Sequence, residues 1–164
     1  MDDHQVSEAP TGYMARTRQY YRALGYKTDY VWSTYDAVPF ARLDVPLSDA
    51  KLALLTTASP PDLSNRDGRG RKQVWTGSIA SPPETFGTEM AWDRDSTHTD
   101  DPETYLPIKA ASGLVADGLF AGLTARFIGV PTKYSQKETI AVDAPDILER
   151  VRADGADAAV LAAL

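Results

Sequence analysis

Three short apolar runs, separated by two segments of helical periodicity, constrain the fold more than any other feature of this sequence. The runs occupy residues 51–58, 123–130 and 158–164, and each is apolar at consecutive positions near its centre. Consecutive apolar positions are typical of parallel strands that other elements cover on both faces. The last run is therefore predicted to be a buried strand. The order strand, helix, strand, helix, strand predicts an α/β fold with right-handed crossovers.

The helical segments carry their own boundary residues. Residues 107–117 open on a proline and place apolar side chains at every third or fourth position. Asp143 is predicted to cap a helix over 144–153, and Gly155 closes that helix. Nearer the amino end, residues 13–24 are predicted to form a short amphipathic helix.

The segment between the first run and the helix at 107–117 is long and irregular. Residues 60–101 are rich in proline, glycine, serine, aspartate and arginine, and no helical period is visible in them. Long connections of this kind within a domain are commonly functional. We expect an N-terminal arm over 1–47, formed by a helix and an extended connector, and an α/β domain over 48–164 that contains the long insertion.

The predicted sheet has an exposed border strand. A sheet of three parallel strands is small, and an exposed border strand leaves backbone N–H and C=O groups without partners, which invites a further strand. The run at 158–164 is also strongly apolar. We therefore expect a second protein chain to complete the sheet in a hetero-oligomer.

Charge and composition exclude several classes of partner and reaction. The net charge of −6 opposes binding to nucleic acid and to anionic membranes, because both depend on clustered lysine and arginine. No run approaches the roughly 18 apolar residues of a membrane span, and the amino end is polar and acidic, which predicts a cytoplasmic protein. The absence of cysteine removes disulfides, zinc–thiolate sites and a cysteine nucleophile.

The densest polar cluster of the sequence lies within the long insertion. Asp93, Asp95, His98, Asp100 and Asp101 fall within a few positions of one another. Imidazole and carboxylate groups together suit either a divalent metal or general acid–base catalysis. The first three of these residues are the candidate metal ligands, and the last three are the candidate catalytic groups. Because a proline follows Asp101, a turn or capping role for that aspartate is an alternative.

Two further groups are candidates for binding a substrate. Thr56 and Thr57 end the first run, and the carboxyl ends of parallel strands usually present ligand contacts. Their hydroxyls could equally stabilise a turn. Arg126 and Tyr134 lie in and after the second run and are predicted to orient an anionic substrate, although an arginine within a strand often pairs with a neighbouring acid.

Several of these segments, taken in order, resemble the selenoprotein B family of glycine, sarcosine, betaine and D-proline reductases. The matching stretches are 46–58, the loop that carries His98, 106–118, 126–129 and 154–161. The resemblance implies a Rossmann-like, flavodoxin-like half-domain of three layers with oxidoreductase activity. In that family the last matching strand leads into a selenocysteine or cysteine motif and a further half-domain. This sequence departs from the pattern there, so we expect the redox residue on a second polypeptide.

The leading functional hypothesis combines the resemblance with these candidate residues. The chain is expected to be one subunit of a hetero-oligomeric enzyme that acts on a small amino-acid-like or carboxylated substrate. His98, Asp100 and Asp101 then assist proton transfer, while Thr56 and Thr57 hold the substrate carboxylate. Two alternatives stay open, namely a metal-assisted or acid–base lyase or hydrolase built on the His98 loop, and a non-catalytic structural or regulatory subunit. No cofactor is identified beyond a divalent metal that the acidic loop could hold.

Overall fold

The structure of the protein is a computed structural model, and it describes residues 12–29, 31, 34–38, 41–88, 95 and 98–164. The apolar run after Ala50 forms the central strand of its sheet. The chain divides into two units, Met1–Pro39 and Phe40–Leu164. The first contains helix α1 (Tyr13–Ala23), none of whose side chains is buried. The second is an α/β fold with a mixed, mostly parallel sheet.

Five strands form the sheet of the second unit. The central strand β1 pairs in parallel with three strands, whereas the remaining strand runs antiparallel along the far border. Thr56 of the central strand lies opposite Gly129, and Leu54 lies opposite Val160. In chain order the strands are β1 (Lys51–Thr56), β2 (Trp75–Ser78), β3 (Gly122–Leu123), β4 (Arg126–Gly129) and β5 (Ala158–Ala162).

The strand predicted over 123–130 is interrupted in the structure. It forms β3 and β4, which pair with successive parts of β1. The break lies at Thr124, whose hydroxyl donates to the carbonyl oxygen of Arg126 at 2.8 Å while its N–H donates to Leu52. A side chain that bonds its own backbone offers the chain an alternative to the ladder, and this local bond explains the interruption.

Strand β2 lies inside the segment that was predicted to be irregular. It pairs antiparallel with β4, so the insertion contributes the far border of the sheet. Two glycines make room for its neighbours, because an added Cβ at Gly77 would overlap the ring of Phe127 and one at Gly129 would overlap that of Trp75. The two rings meet edge to face at 5.3 Å between centroids. The strand has four residues, which are too few for an alternation of apolar and polar positions to predict it.

Helices precede two of the parallel strands, as the sequence predicts. Helix α2 spans Ile108–Ala116 and leads into β3, while α4 spans Ala144–Ala153 and leads into β5. The described residues also contain the 3₁₀ turns Leu47–Asp49 and Pro102–Thr104. No helix among the described residues is long and apolar enough to cross a membrane.

The capping role predicted for Asp143 is wrong. Its backbone is already helical, and its side chain makes no capping hydrogen bond. The helical path instead begins at α3 (Gln136–Glu138) and continues through a π-helical turn over Thr139–Asp143 into α4. Ser135 caps this path, because its hydroxyl accepts from the N–H of Glu138 at 3.2 Å.

Other elements cover both faces of the sheet, as the consecutive apolar residues of β1 predict. Alternate side chains of a strand point to opposite faces, so Leu54 and Leu55 belong to different layers of the core. One layer consists of Leu52, Leu54, Ala58, Phe86, Tyr105, Leu106, Ala111 and Phe127. The other consists of Ala53, Leu55, Val74 and Ile128, against which Ile147 and Val151 of α4 pack.

Strand β5 departs from the prediction that the last run is buried. Val160 is 46% exposed and Leu161 is 55% exposed. The reason is topological, because β5 pairs with β1 along one side and, among the described residues, no strand lies on its other side. A run that is apolar on both faces therefore forms a border of the sheet.

Candidate functional site

The carboxyl ends of the parallel strands define the candidate site. Strands β1, β4 and β5 run in the same direction and end at Thr56, Gly129 and Ala162. Helix α4 leads directly into β5, so the amino end of that helix lies toward the same edge of the sheet. Ligands of open α/β sheets bind at this carboxyl edge, where loops and helix starts converge.

The two threonines predicted to bind substrate lie at this edge, but their hydroxyls bond to the chain itself. Thr56 is fully buried, and its Oγ1 accepts from the N–H of Ala58 at 3.2 Å. Thr57 Oγ1 accepts from the N–H of Leu164 at 2.8 Å and donates to the carbonyl oxygen of Leu164 at 3.4 Å. The turn-stabilising alternative is thus present in the structure, and a role in substrate binding stays a prediction.

Ser59 adds a buried hydroxyl that the sequence did not single out. Its backbone pairs with Gly87, through N–H and C=O bonds of 2.9 Å each. The side chain is 3% exposed by residue area, and Oγ has no hydrogen-bond partner in the described part of the chain. The serine-proline sequence predicts only the end of a strand. The burial of the hydroxyl follows from the pairing of Ser59 with Gly87, which the sequence does not predict.

A nearly buried cluster of charges follows β4. The ammonium group of Lys133 donates to Glu138 Oε1 and to Asp143 Oδ1, both at 2.9 Å. The side chain of Lys133 is 10% exposed and that of Asp143 is 3% exposed, while Asp143 Oδ2 has no partner among the described residues. Burial alone would lower the pKa of Lys133, but the hydrogen bonds to the two carboxylates outweigh it and raise that pKa. Lys133 is therefore a fixed cation and unsuited to act as a general base.

Arg126 lies apart from the threonines. It begins β4, three positions before the residue that pairs with Thr56, so it lies toward the amino edge of the sheet. Its Nε donates to the two carboxylate oxygens of Asp154 at 2.8 and 3.0 Å. This hydrogen-bonded acid raises the pKa of Arg126. The pairing with a neighbouring acid is the alternative that the sequence left open.

Tyr134 and the His98 loop are exposed. Tyr134 follows the charged cluster and has most of its surface in solvent. His98 Nδ1 accepts from the N–H of Asp100 at 3.3 Å and lies 3.7 Å from Asp100 Oδ2, with both side chains largely in solvent. Asp93 lies outside the described residues, and Asp95 is exposed. Over the described ranges, no three acidic or histidine side chains are grouped so that they could hold a metal ion.

Asp101 has a capping role and also borders a groove. Its Oδ1 accepts from the N–H of Glu103 at 3.1 Å, which caps the turn Pro102–Thr104. The groove, of about 440 Å³, lies between residues 79–86 and 101–109. Its lining includes Ile79, Pro82, Pro83, Glu84, Phe86, Asp101, Pro102, Glu103, Leu106, Ile108 and Lys109.

Tyr105 connects this groove region to the His98 loop. Its hydroxyl donates to the carbonyl oxygen of Thr99 at 2.8 Å, which holds the loop against the core. Burial raises the pKa of Tyr105, and the nearby charges of Asp101 and Asp100 raise it further. The phenol is therefore neutral at physiological pH and acts as a hydrogen-bond donor.

Compared with protein-family models, curated proteins and solved structures, the chain matches none of them. The resemblance to the reductase family accordingly rests on the sequence segments that carry it. A fold class alone does not imply an activity, so a function has to be argued from the carboxyl edge, the border strand and the groove.

Proposed function

We propose that this chain is one subunit of a hetero-oligomeric oxidoreductase for a small amino-acid-like or carboxylated substrate, with the reactive thiol or selenol on a second polypeptide. The observation that carries the proposal is the border at β5, where Val160 and Leu161 are about half exposed and no further strand of the described residues pairs. The proposal includes a flavodoxin-like, three-layer arrangement of the completed sheet and a cytoplasmic location.

The composition of β5 is that of an internal strand. Val160 lies opposite Leu54 and Leu161 opposite Leu55, so the two exposed side chains extend different layers of the core. Border strands of free-standing sheets usually carry charges, prolines or bulges that prevent further pairing. The strand Ala158–Ala162 carries neither a charge nor a proline. A partner strand would bury both side chains and bond the outward N–H and C=O groups of β5, beside which no strand of the described residues lies.

The chemistry of the proposal follows from the resemblance and from composition. Reductive cleavage of the kind implied needs a thiolate or selenolate nucleophile, and the sequence contains no cysteine. In the proposed assembly the partner brings this group to the carboxyl edge. Thr57 and Lys133 then lie beside a shared site, and His98, Asp100 and Asp101 assist proton transfer.

The proposal is tested by comparing how the chain and a variant of strand β5 capture a partner. The tagged chain is used to isolate partners from its source cells, in parallel with Leu161→Lys and with Leu119→Lys as a matched control at an exposed leucine outside β5. We expect the parent and the control to retain a partner that contains cysteine or selenocysteine, and the β5 variant to lose it. Substrate reduction, assayed with an added dithiol as the electron donor, should require both chains. Equal capture by all three proteins, or a monomeric chain without such a partner, would contradict the proposal.

A non-catalytic subunit is the second candidate. It is favoured by the intramolecular contacts of Thr57 with Leu164 and of Arg126 with Asp154, which occupy groups that were predicted to bind substrate. Alanine substitutions at His98 and Asp101 in the assembled complex separate the two candidates. Unchanged turnover in both variants would favour the non-catalytic role.

A further inference from the structure

We propose that the groove between residues 79–86 and 101–109 binds a small zwitterion with an apolar side chain, namely an α-amino acid such as leucine. The inference goes beyond the proposed function, because neither Thr57 nor Lys133 lines this groove. Binding itself needs no partner chain. The volume of about 440 Å³ lies at the lower end of the range for small-molecule sites.

The floor of the groove supplies an apolar surface. Phe86 and Leu106 are buried members of the core, and Ile79 and Ile108 pack against the same layer. These four side chains line the groove together. They are held by contacts beneath them, such as the edge-to-face packing of Phe86 on Tyr105 at 5.7 Å between centroids. Phe86 and Leu106 are already buried, so an aliphatic side chain laid on this floor removes from water its own apolar surface and that of the half-buried Ile79 and Ile108.

Two side chains of opposite charge line the groove together with this apolar floor. Glu84 comes from the segment that follows β2, and Lys109 comes from the first turn of α2. Within the described part of the chain, neither side-chain charge has an ion-pair or hydrogen-bond partner. Both side chains are exposed, and their charges are complementary in sign to the ammonium and carboxylate groups of a zwitterion.

The other two carboxylates of the groove are already used. Glu103 accepts from the N–H of Lys109 through both of its oxygens at 3.0 Å and from the N–H of Ala110 at 3.2 Å. Asp101 accepts from the N–H of Glu103. Backbone donors at the start of a helix stabilise such carboxylates, so the helix start is not free to bind an external anion. Among the described residues, the groove charges without a bonded partner are thus one anion and one cation, which match a zwitterion better than a simple cation.

Titration of the full chain with three related ligands tests this inference. Leucine carries both charges, isocaproate lacks the ammonium group, and isoamylamine lacks the carboxylate. For a ligand of this size in an open groove we expect an affinity of about millimolar. Leucine should bind roughly tenfold more tightly than either analogue, because each lost charge-assisted hydrogen bond weakens binding. Backbone NMR shifts should change around the groove.

Charge-neutral variants then assign each end of the ligand. Glu84→Gln should remove the preference for leucine over isocaproate, and Lys109→Met should remove the preference for leucine over isoamylamine. The matched controls are Glu149→Gln and Lys137→Met, at exposed positions on α4 and α3. Both controls should keep both preferences.

Absence of leucine binding, equal binding of the three ligands, or unchanged preferences in both groove variants would overturn the inference. Each of these results is obtained with the chain alone, so none of them bears on capture of a partner at β5. Conversely, a chain that binds leucine as predicted but captures no partner contradicts only the proposed function. Circular dichroism confirms that each variant is folded before its binding is compared.

Discussion

At the scale of single residues, the most consequential contacts are those of Lys133. Its cation is held by Glu138 and Asp143, and Asp143 is the more deeply buried of the two acids. A buried ion pair is weak evidence for stability as a pair, yet removal of one partner leaves an uncompensated charge in a poorly solvated place. The ion pair of Lys133 with Asp143 therefore determines which substitutions at these two positions the protein tolerates.

Lys133→Met should lower the free energy of unfolding by about 3 kcal/mol, because Asp143 is left charged and without its cation. The double variant Lys133→Met, Asp143→Leu should recover much of this loss, since it removes both charges. Arg150→Met is the control, as it breaks the more exposed pair with Asp146 and should cost about 0.5 kcal/mol. Urea denaturation measures all three. A single variant as stable as the double variant would contradict the account.

Tyr105 provides a prediction about pH. Burial raises its pKa, followed by the charges of Asp101 and Asp100, so the folded state holds the phenol proton more tightly than the unfolded state. The associated stability is present below the unfolded pKa of about 10 and is lost as pH rises through the raised pKa. Alkaline difference titration against Tyr105→Phe isolates this phenol.

Asp101→Asn should move the pKa of Tyr105 down toward the ordinary value, because it removes a negative charge that opposes ionisation. Glu149→Gln, on α4, should leave the titration unchanged and serves as the control. A phenol that titrates at or below the ordinary tyrosine value in the unsubstituted protein would show that burial does not dominate.

At the scale of elements, β2 is the strand that depends most on its neighbours. Trp75 lies against Gly129 of β4, and its indole N–H donates to the carbonyl oxygen of Ala58 at 3.2 Å. This bond joins the long insertion to the end of β1. A glycine in a strand usually weakens it, but here the missing side chain is what allows the ring to approach.

Gly129→Ala should lower the free energy of unfolding by about 1–3 kcal/mol, because the indole of Trp75 has to move to admit the new methyl group. Gly113→Ala is the matched control. It lies inside α2 with open space around the added atom, so it should stabilise the protein by about 0.5–1 kcal/mol. Thermal or urea unfolding measures both free-energy changes. Equal changes for the two substitutions would contradict the predicted overlap.

At the scale of the whole molecule, association depends on the border at β5, which no other strand in the described ranges covers. Exposed apolar border strands pair with other chains when no native partner is present. The purified chain should therefore self-associate as its concentration rises, above the 17.8 kDa of one copy. Leu161→Lys should reduce this association, whereas Val142→Lys, outside the sheet, should not. Sedimentation over a range of concentrations measures the effect, and a parent chain that stays monomeric would contradict it.

The sequence alone determined the order of the main elements. Strand β1 and helices α2 and α4 lie within one or two residues of their predicted bounds, because consecutive apolar positions and helical spacing are local patterns. It also placed Thr56 and Thr57 at the carboxyl end of β1, since the end of a strand is a local property as well.

Only the tertiary structure decided which groups lie next to one another. The pairing of β2 with β4, the ion pairs of Lys133 and Arg126, and the groove beside α2 each join segments that are distant in the chain. No local pattern specifies such neighbours, because contact depends on how strands and helices pack. The exposure of β5 has the same origin, since an apolar strand is buried only when another element lies beside it.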